Sequence, residues 1–152
     1  SEQMYGDKGE VPEGEYTIPL GVADIKREGT DVTIVSFGKI IKEAYKAADE
    51  LAKEGISVEV INIHTIKPLD EEAILKSVAK TGCIVTAEEH NKFGGLGESV
   101  SRTLALNNPT PQEFVAVNDS FGESGTPEQL MEKYGLNSES VVKAVQKVLK
   151  RK

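Results

Sequence analysis

The residues of this chain that could do chemistry gather at Glu88-Glu89-His90 and at Gly94-Gly95-Leu96-Gly97, with a second histidine, His64, further upstream. Two carboxylates and an imidazole at one strand end have the chemistry of a general acid and base, or of metal ligands. Neighbours on a strand point to opposite faces, however, and no H-x-x-x-H or C-x-x-C spacing completes a ligand set. No catalytic, cofactor-binding or metal-binding residue is therefore assigned. The glycine run leads from a strand into a helix N-terminus, where exposed N–H groups can hold phosphate or sulfate. His90, Gly94, Gly95 and Gly97 are the candidate anion site. The run is not G-x-G-x-x-G, and it reads equally as a tight turn that sets helix against sheet, where a β-branched side chain at Gly95 would intrude. Ser120 and Ser124 make no nucleophile elbow, because G-x-S-x-G is absent.

These residues need a frame, and from Val22 onward the pattern alternates strand and helix. Val22 to Arg27 alternates apolar and polar residues like an exposed edge strand, and Gly29-Thr30 turns it into Asp31 to Phe37. Val32-Thr33-Ile34-Val35 is apolar on both faces, as an inner parallel strand requires. A helix follows with Ile41, Ala44, Tyr45, Ala48, Leu51 and Ala52 on one face and Lys42, Glu43, Lys46 and Glu50 turned outward; Gly55 stops it. After the strand Val58 to Ile63, Asp70 caps a helix that buries Ile74, Leu75 and Val78 and ends at Gly82. Ile84 to Ala87 is the next buried strand, Leu96, Val100 and Leu104 the inner stripe of a third helix, and Phe114 to Val117 the next strand. Thr126-Pro127-Glu128-Gln129 supplies an N-cap, a proline at N1 and a capping-box Gln for a short helix ending at Gly135. A final helix places Val141, Val142, Val145, Val148 and Leu149 on one face. The expectation is a three-layer, doubly wound α/β domain whose sheet of about five strands is parallel except for one antiparallel edge. Ligands of such sheets gather at the C-terminal strand ends, here Ser36-Phe37-Gly38, His64-Thr65, Glu88-Glu89-His90 and Asp119-Ser120.

Composition bounds the function. At 152 residues the chain fits one domain, large enough to bury about 70% of its unfolded surface. Eighteen basic residues against 25 acidic give a net charge of −7, which argues against binding a phosphate backbone, so nucleic acid is not expected as a partner. The cluster Lys150-Arg151-Lys152 reads as complementing the C-terminal dipole of the last helix. No apolar run reaches the roughly 20 residues of a membrane span. Cys83, the single cysteine, reads as a buried strand residue and suits a reducing cytoplasm. Residues 1–21, rich in Gly, Pro and Glu, read as a linker from an upstream domain, with the α/β domain over 22–152. The chain would then be a fragment or a processed C-terminal piece.

Val60 to Asp70 (VINIHTIKPLD) and Thr86 to Glu98 (TAEEHNKFGGLGE) resemble the transketolase C-terminal domain. Phe114 to Leu136 (FVAVNDSFGESGTPEQLMEKYGL) is similar to the separate C-terminal subunit of split bacterial transketolases. Met4 to Leu20 (MYGDKGEVPEGEYTIPL) and Gly29 to Lys39 (GTDVTIVSFGK) resemble the beta subunit of thiamine-dependent 2-oxoacid dehydrogenases such as pyruvate dehydrogenase. Two sources in one chain fit a natural intermediate of the superfamily or a joining of pieces from related domains.

The resemblance implies a C-terminal accessory and dimerisation domain of a thiamine-diphosphate enzyme that transfers ketol units between sugar phosphates. Thiamine diphosphate and Mg²⁺ would sit between upstream diphosphate- and pyrimidine-binding domains or a partner subunit. The diphosphate signature is missing here, since Gly6-Asp7-Lys8-Gly9 carries an extra Lys and Asn107-Asn108 lies far away. This chain alone is thus expected to bind no cofactor and to catalyse nothing, and to form a homodimer. The alternatives are the C-terminal domain of a 2-oxoacid dehydrogenase beta subunit and, from another class, a free-standing anion- or ligand-binding module.

Overall fold

The computed structural model describes residues 24–64, 68–117 and 127–152, with the backbone alone for Asp24, Lys92 and residues 127–136. The expected linker over 1–21, the strand ends at Thr65 and Asp119-Ser120, Ser124 and the Thr126 cap lie outside the described residues. Five strands, β1 (Asp24–Arg27), β2 (Val32–Phe37), β3 (Val58–Ile63), β4 (Ile84–Glu89) and β5 (Gln112–Val117), form one sheet in the order β1-β3-β2-β4-β5. β1 runs antiparallel to β3, and all other pairs are parallel.

Among the described residues four α-helices cover the two faces. α1 (Ile41–Ala52) and α4 (Pro127–Lys150) lie on one, and α2 (Glu71–Thr81) and α3 (Gly95–Asn107) on the other. Alternation along the strands sorts the core into two layers. Val32, Ile34, Val58, Val60, Val85 and Val115 meet Ala44, Ala48 and Leu51 of α1 and Val141, Val145 and Val148 of α4. Val35, Ile61, Ile63 and Ile84 meet Ile74, Val78, Leu96, Val100 and Leu104 of α2 and α3. This is the expected three-layer α/β architecture with one antiparallel edge strand.

Local signals explain most boundaries. The Asp70 carboxylate accepts from the Ala73 N–H at 3.1 Å, and Gly82 at φ 82° closes α2 in the left-handed conformation, which costs glycine least. Five readings differ from the structure. β4 extends to Glu89 and β5 starts at Gln112, because the ladder between them pairs residues from Ile84↔Gln112 to Glu89↔Val117; backbone pairing carries the strands through polar side chains that hide their ends. Glu43 is buried rather than turned outward, and Ala52 is exposed. Gly135 does not end a helix: α4 continues through it for 24 residues. A glycine inside a helix costs only about 1 kcal/mol, and the Val141-Val145-Val148 face docked on the sheet holds the helix together.

Candidate functional site

The order β3-β2-β4 places the reversal of strand order between β2 and β4, so their C-terminal ends flank the place where such sheets receive ligands. Glu88 stands there, near the end of β4, only 2% exposed. Its Oε1 accepts the Leu96 N–H at 2.9 Å, and its Oε2 accepts those of Gly97 at 2.8 Å and Gly94 at 3.3 Å. These amides belong to the first turn of α3 and its N-cap. They are the donors that have no intrahelical partner, at the positive end of the helix dipole. Gly94 holds φ 109° at the cap, a conformation open to glycine that turns the chain so that its N–H faces back toward β4.

The candidate anion site therefore has the N–H groups of Gly94 and Gly97 already donated to the chain's own carboxylate. His90 is exposed in a 3₁₀ turn at His90–Lys92, Glu89 is half-buried, and His64 is exposed beyond the end of β3. The strand-end acid and imidazole thus separate: Glu88 turns inward to the helix while His90 faces solvent. Among the described residues no group of three or more His, Cys, Asp or Glu side chains is arranged to hold a metal ion.

The close approach of helix and sheet falls at Gly97 and not at Gly95, which is exposed as the first residue of α3. A Cβ on Gly97 would lie 2.5 Å from Cε2 of Phe114 and 3.0 Å from Oε2 of Glu88. Phe114 in turn stands edge-on to Phe93, with centroids 6.5 Å apart and an interplanar angle of 69°.

A second polar centre was not foreseen from the sequence. Glu59, 2% exposed near the start of β3, accepts the Gly29 N–H at 3.0 Å, the Ser77 hydroxyl at 2.7 Å and the Lys80 ammonium at 2.6 Å. Thr33 Oγ1 lies 2.7 Å from both Ser77 Oγ and Thr81 Oγ1, so the network ties β2 and β3 to α2 with its hydroxyls satisfied. The signal was present in Val58-Glu59-Val60-Ile61, a carboxylate inside an otherwise apolar strand, which demands partners. A cleft of about 420 Å³ opens beside it, lined by Ile25, Glu59, Lys76, Ser77 and Lys80 among others.

Cys83 is buried in the core. Burial pushes its thiol above the ordinary range, the nearby Lys152 acts in the opposite sense, and Asp31 adds to the rise. The terminal cations make specific bonds that the dipole reading did not include. Arg151 Nη1 donates to the Gln112 carbonyl at 2.8 Å and to Glu113 Oε2 at 2.7 Å, and Lys152 Nζ donates to the Asp31 carbonyl at 2.9 Å.

This arrangement can be set beside known proteins. A family model described as the transketolase C-terminal domain matches residues 21–141. The 6-deoxy-6-sulfo-D-fructose transketolase subunit SqwH of Clostridium sp. (strain MSTE9) is 49% identical over 138 residues, covering 91% of this chain and 42% of that protein. The pyruvate dehydrogenase E1 component subunit beta of Bacillus subtilis (strain 168) is 52% identical over 91 residues, 60% of this chain and 28% of that protein. Among solved structures, a split gene transketolase described as an inactive beta4 tetramer shares the fold with a TM-score of 0.77 and 44% identity, over 93% of this chain and 46% of that one. The chain thus spans less than half the length of these relatives. With most of its residues matched and the sheet shared, it belongs to the transketolase C-terminal domain family.

Proposed function

We propose that this chain is the C-terminal accessory and dimerisation domain of a thiamine-diphosphate-dependent, transketolase-type enzyme that in its intact form transfers ketol units between sugar phosphates. The observation that carries this reading is the 49% identity to a sulfofructose transketolase subunit over 91% of the chain. Residues 1–21 then link it to upstream diphosphate- and pyrimidine-binding domains, or those domains belong to a partner subunit. The same reading assigns the enzyme to the cytoplasm and the chain to a homodimer, in keeping with a relative named for its beta4 assembly.

The donor set described here does not fit a Mg²⁺–diphosphate group, because Glu88 holds the amides at the start of α3 that such an anion would need. The described residues act as scaffold, which favours the accessory role over a free-standing anion-binding module. A second reading, the C-terminal domain of a pyruvate dehydrogenase beta subunit, is favoured by the 52% identity over 91 residues. The two part on activity when the upstream polypeptide is supplied.

Calorimetric titration of the isolated chain with thiamine diphosphate and Mg²⁺ should show no saturable heat. Co-purification with the upstream half should restore ketol transfer from a sugar phosphate; 2-oxoacid decarboxylation in its place selects the second reading. His90→Ala should leave the reconstituted rate within a few-fold, whereas a loss on the order of 100-fold would make His90 a catalytic acid or base. Micromolar cofactor binding by the chain alone would overturn the accessory role.

A further inference from the structure

β5 is an edge strand with β4 on one side. The Pro111 carbonyl accepts the Ile84 N–H at 3.0 Å, and successive peptide groups alternate sides, so the backbone groups of Gln112, Phe114 and Ala116 point away from the sheet. Arg151 closes the Gln112 carbonyl. Among the described residues no strand pairs with Phe114 or Ala116 on that side. Natural edges are blunted by lysine, proline or a bulge. This one keeps an unbroken register with β4 from Gln112 to Val117, and its outward-facing residues Phe114 and Ala116 carry no charge. Phe114 is 41% exposed and Phe93 50%. Since Phe114 lies against Gly97 and Phe93, covering this fixed aromatic pair costs little further conformational entropy, as at an interface anchor.

We propose that the outer edge of β5 pairs antiparallel with β5 of a second copy of this chain, about a two-fold axis through Val115, with Phe114 of each copy opposite Ala116 of the other. This rests on the self-association proposed above and names its surface. The strand discriminates among the axes at Glu113, Phe114 and Val115. An axis at Glu113 sets two carboxylates opposite each other. An axis at Phe114 draws on the Gln112 carbonyl that Arg151 already holds. An axis at Val115 uses the outward N–H and C=O groups of Phe114 and Ala116 from both copies, places a ring against a methyl group, and leaves Arg151 on Gln112 and Glu113. The strand is self-complementary in that register, as an isologous contact requires.

Sedimentation velocity of the full 152-residue chain over a concentration series tests this. The unsubstituted chain should dimerise. Ala116→Pro, which removes an outward N–H that the β4 ladder does not use, should raise the dissociation constant at least about tenfold, and Phe114→Lys should do the same through charge. Ile25→Lys on the opposite edge strand should leave it unchanged. Hydrogen exchange needs no substitution: the Phe114 and Ala116 amides should gain protection with concentration. A monomer at high concentration overturns both this proposal and the self-association it rests on. A dimer that ignores Ala116→Pro and Phe114→Lys, with those two amides unprotected, overturns the surface while self-association stands.

Discussion

Gly97 of α3 and Phe114 of β5 meet backbone to ring, and a Cβ on Gly97 would fall 2.5 Å from the Cε2 of Phe114. The contact sets the distance between α3 and the edge of the sheet. It also leaves the other side of the ring open to whatever β5 meets.

Gly97→Ala should destabilise the domain by about 1–3 kcal/mol, the usual cost of forcing an extra methyl into a packed site. Urea unfolding measures it. Adding Phe114→Ala should recover part of the loss, since the crowded ring is gone. Gly95→Ala, at an exposed position in the first turn, should stay within about 0.5 kcal/mol of the parent. Equal costs at the two glycines would contradict the packing described.

Glu88→Ala should cost about 1–3 kcal/mol, because N–H groups held by one carboxylate lose their acceptor in a buried place. The vacated helix end is then an anion site, so sulfate or phosphate should raise the melting temperature of the variant more than that of the parent. No difference in anion response would argue that the three amides are satisfied in another way.

Lys80 is 43% exposed while Glu59 beside it is 2% exposed, and this asymmetry gives the two partners different weights. Glu59→Ala strands the Gly29 N–H, takes the carboxylate acceptor from Ser77 and Lys80, and should cost about 3–5 kcal/mol, as breaking buried ionic networks does. Lys80→Met should cost clearly less, because Glu59 keeps two other donors and Lys80 is partly screened by water. Chemical denaturation of both variants decides, and the reverse ranking would place the weight on the ion pair itself.

Cys83 should react slowly with a maleimide in the folded chain and quickly once it is unfolded, since burial both hides the thiol and disfavours its thiolate. The sign of the pH effect follows. A thiol raised above 9.0 in the folded state leaves stability untouched below that value, and above it the unfolded chain ionises first. Stability should therefore fall as pH rises past about 9, and Cys83→Ala should flatten that part of the curve. Fast native labelling at neutral pH would contradict the burial.

The fold was legible because its signals are local and agree with one another. Val32-Thr33-Ile34-Val35 suits an inner strand, Asp70 and Gly82 bracket α2 as written, and Leu96, Val100 and Leu104 face inward as their spacing requires. Gly135 misled because a single glycine can stop a helix or ride inside one, and only tertiary packing tells which. The site was harder. Glu88 was visible as a carboxylate at a strand end, but its turn toward the amides of Gly94, Leu96 and Gly97 depends on how closely α3 approaches β4, a distance that no spacing rule supplies. Glu59 was visible as a charge in an apolar strand, while its partners Gly29, Ser77 and Lys80 come from separate segments brought together by the doubly wound path.

The unbroken α4 shapes what a partner would meet. Its 24 residues make a rod about 36 Å long, whereas a six-residue strand covers about 20 Å. The carboxyl end of the rod is pinned beside the strand starts by Arg151 on Gln112 and Lys152 on Asp31. Its excess length must therefore stand above the opposite rim of the sheet, by about 15 Å on the same two spacings. The amino-terminal turns of α4 thus reach past the rim where β2 and β4 end, so a neighbouring domain approaching that rim from the side of α4 meets the helix before the strand ends.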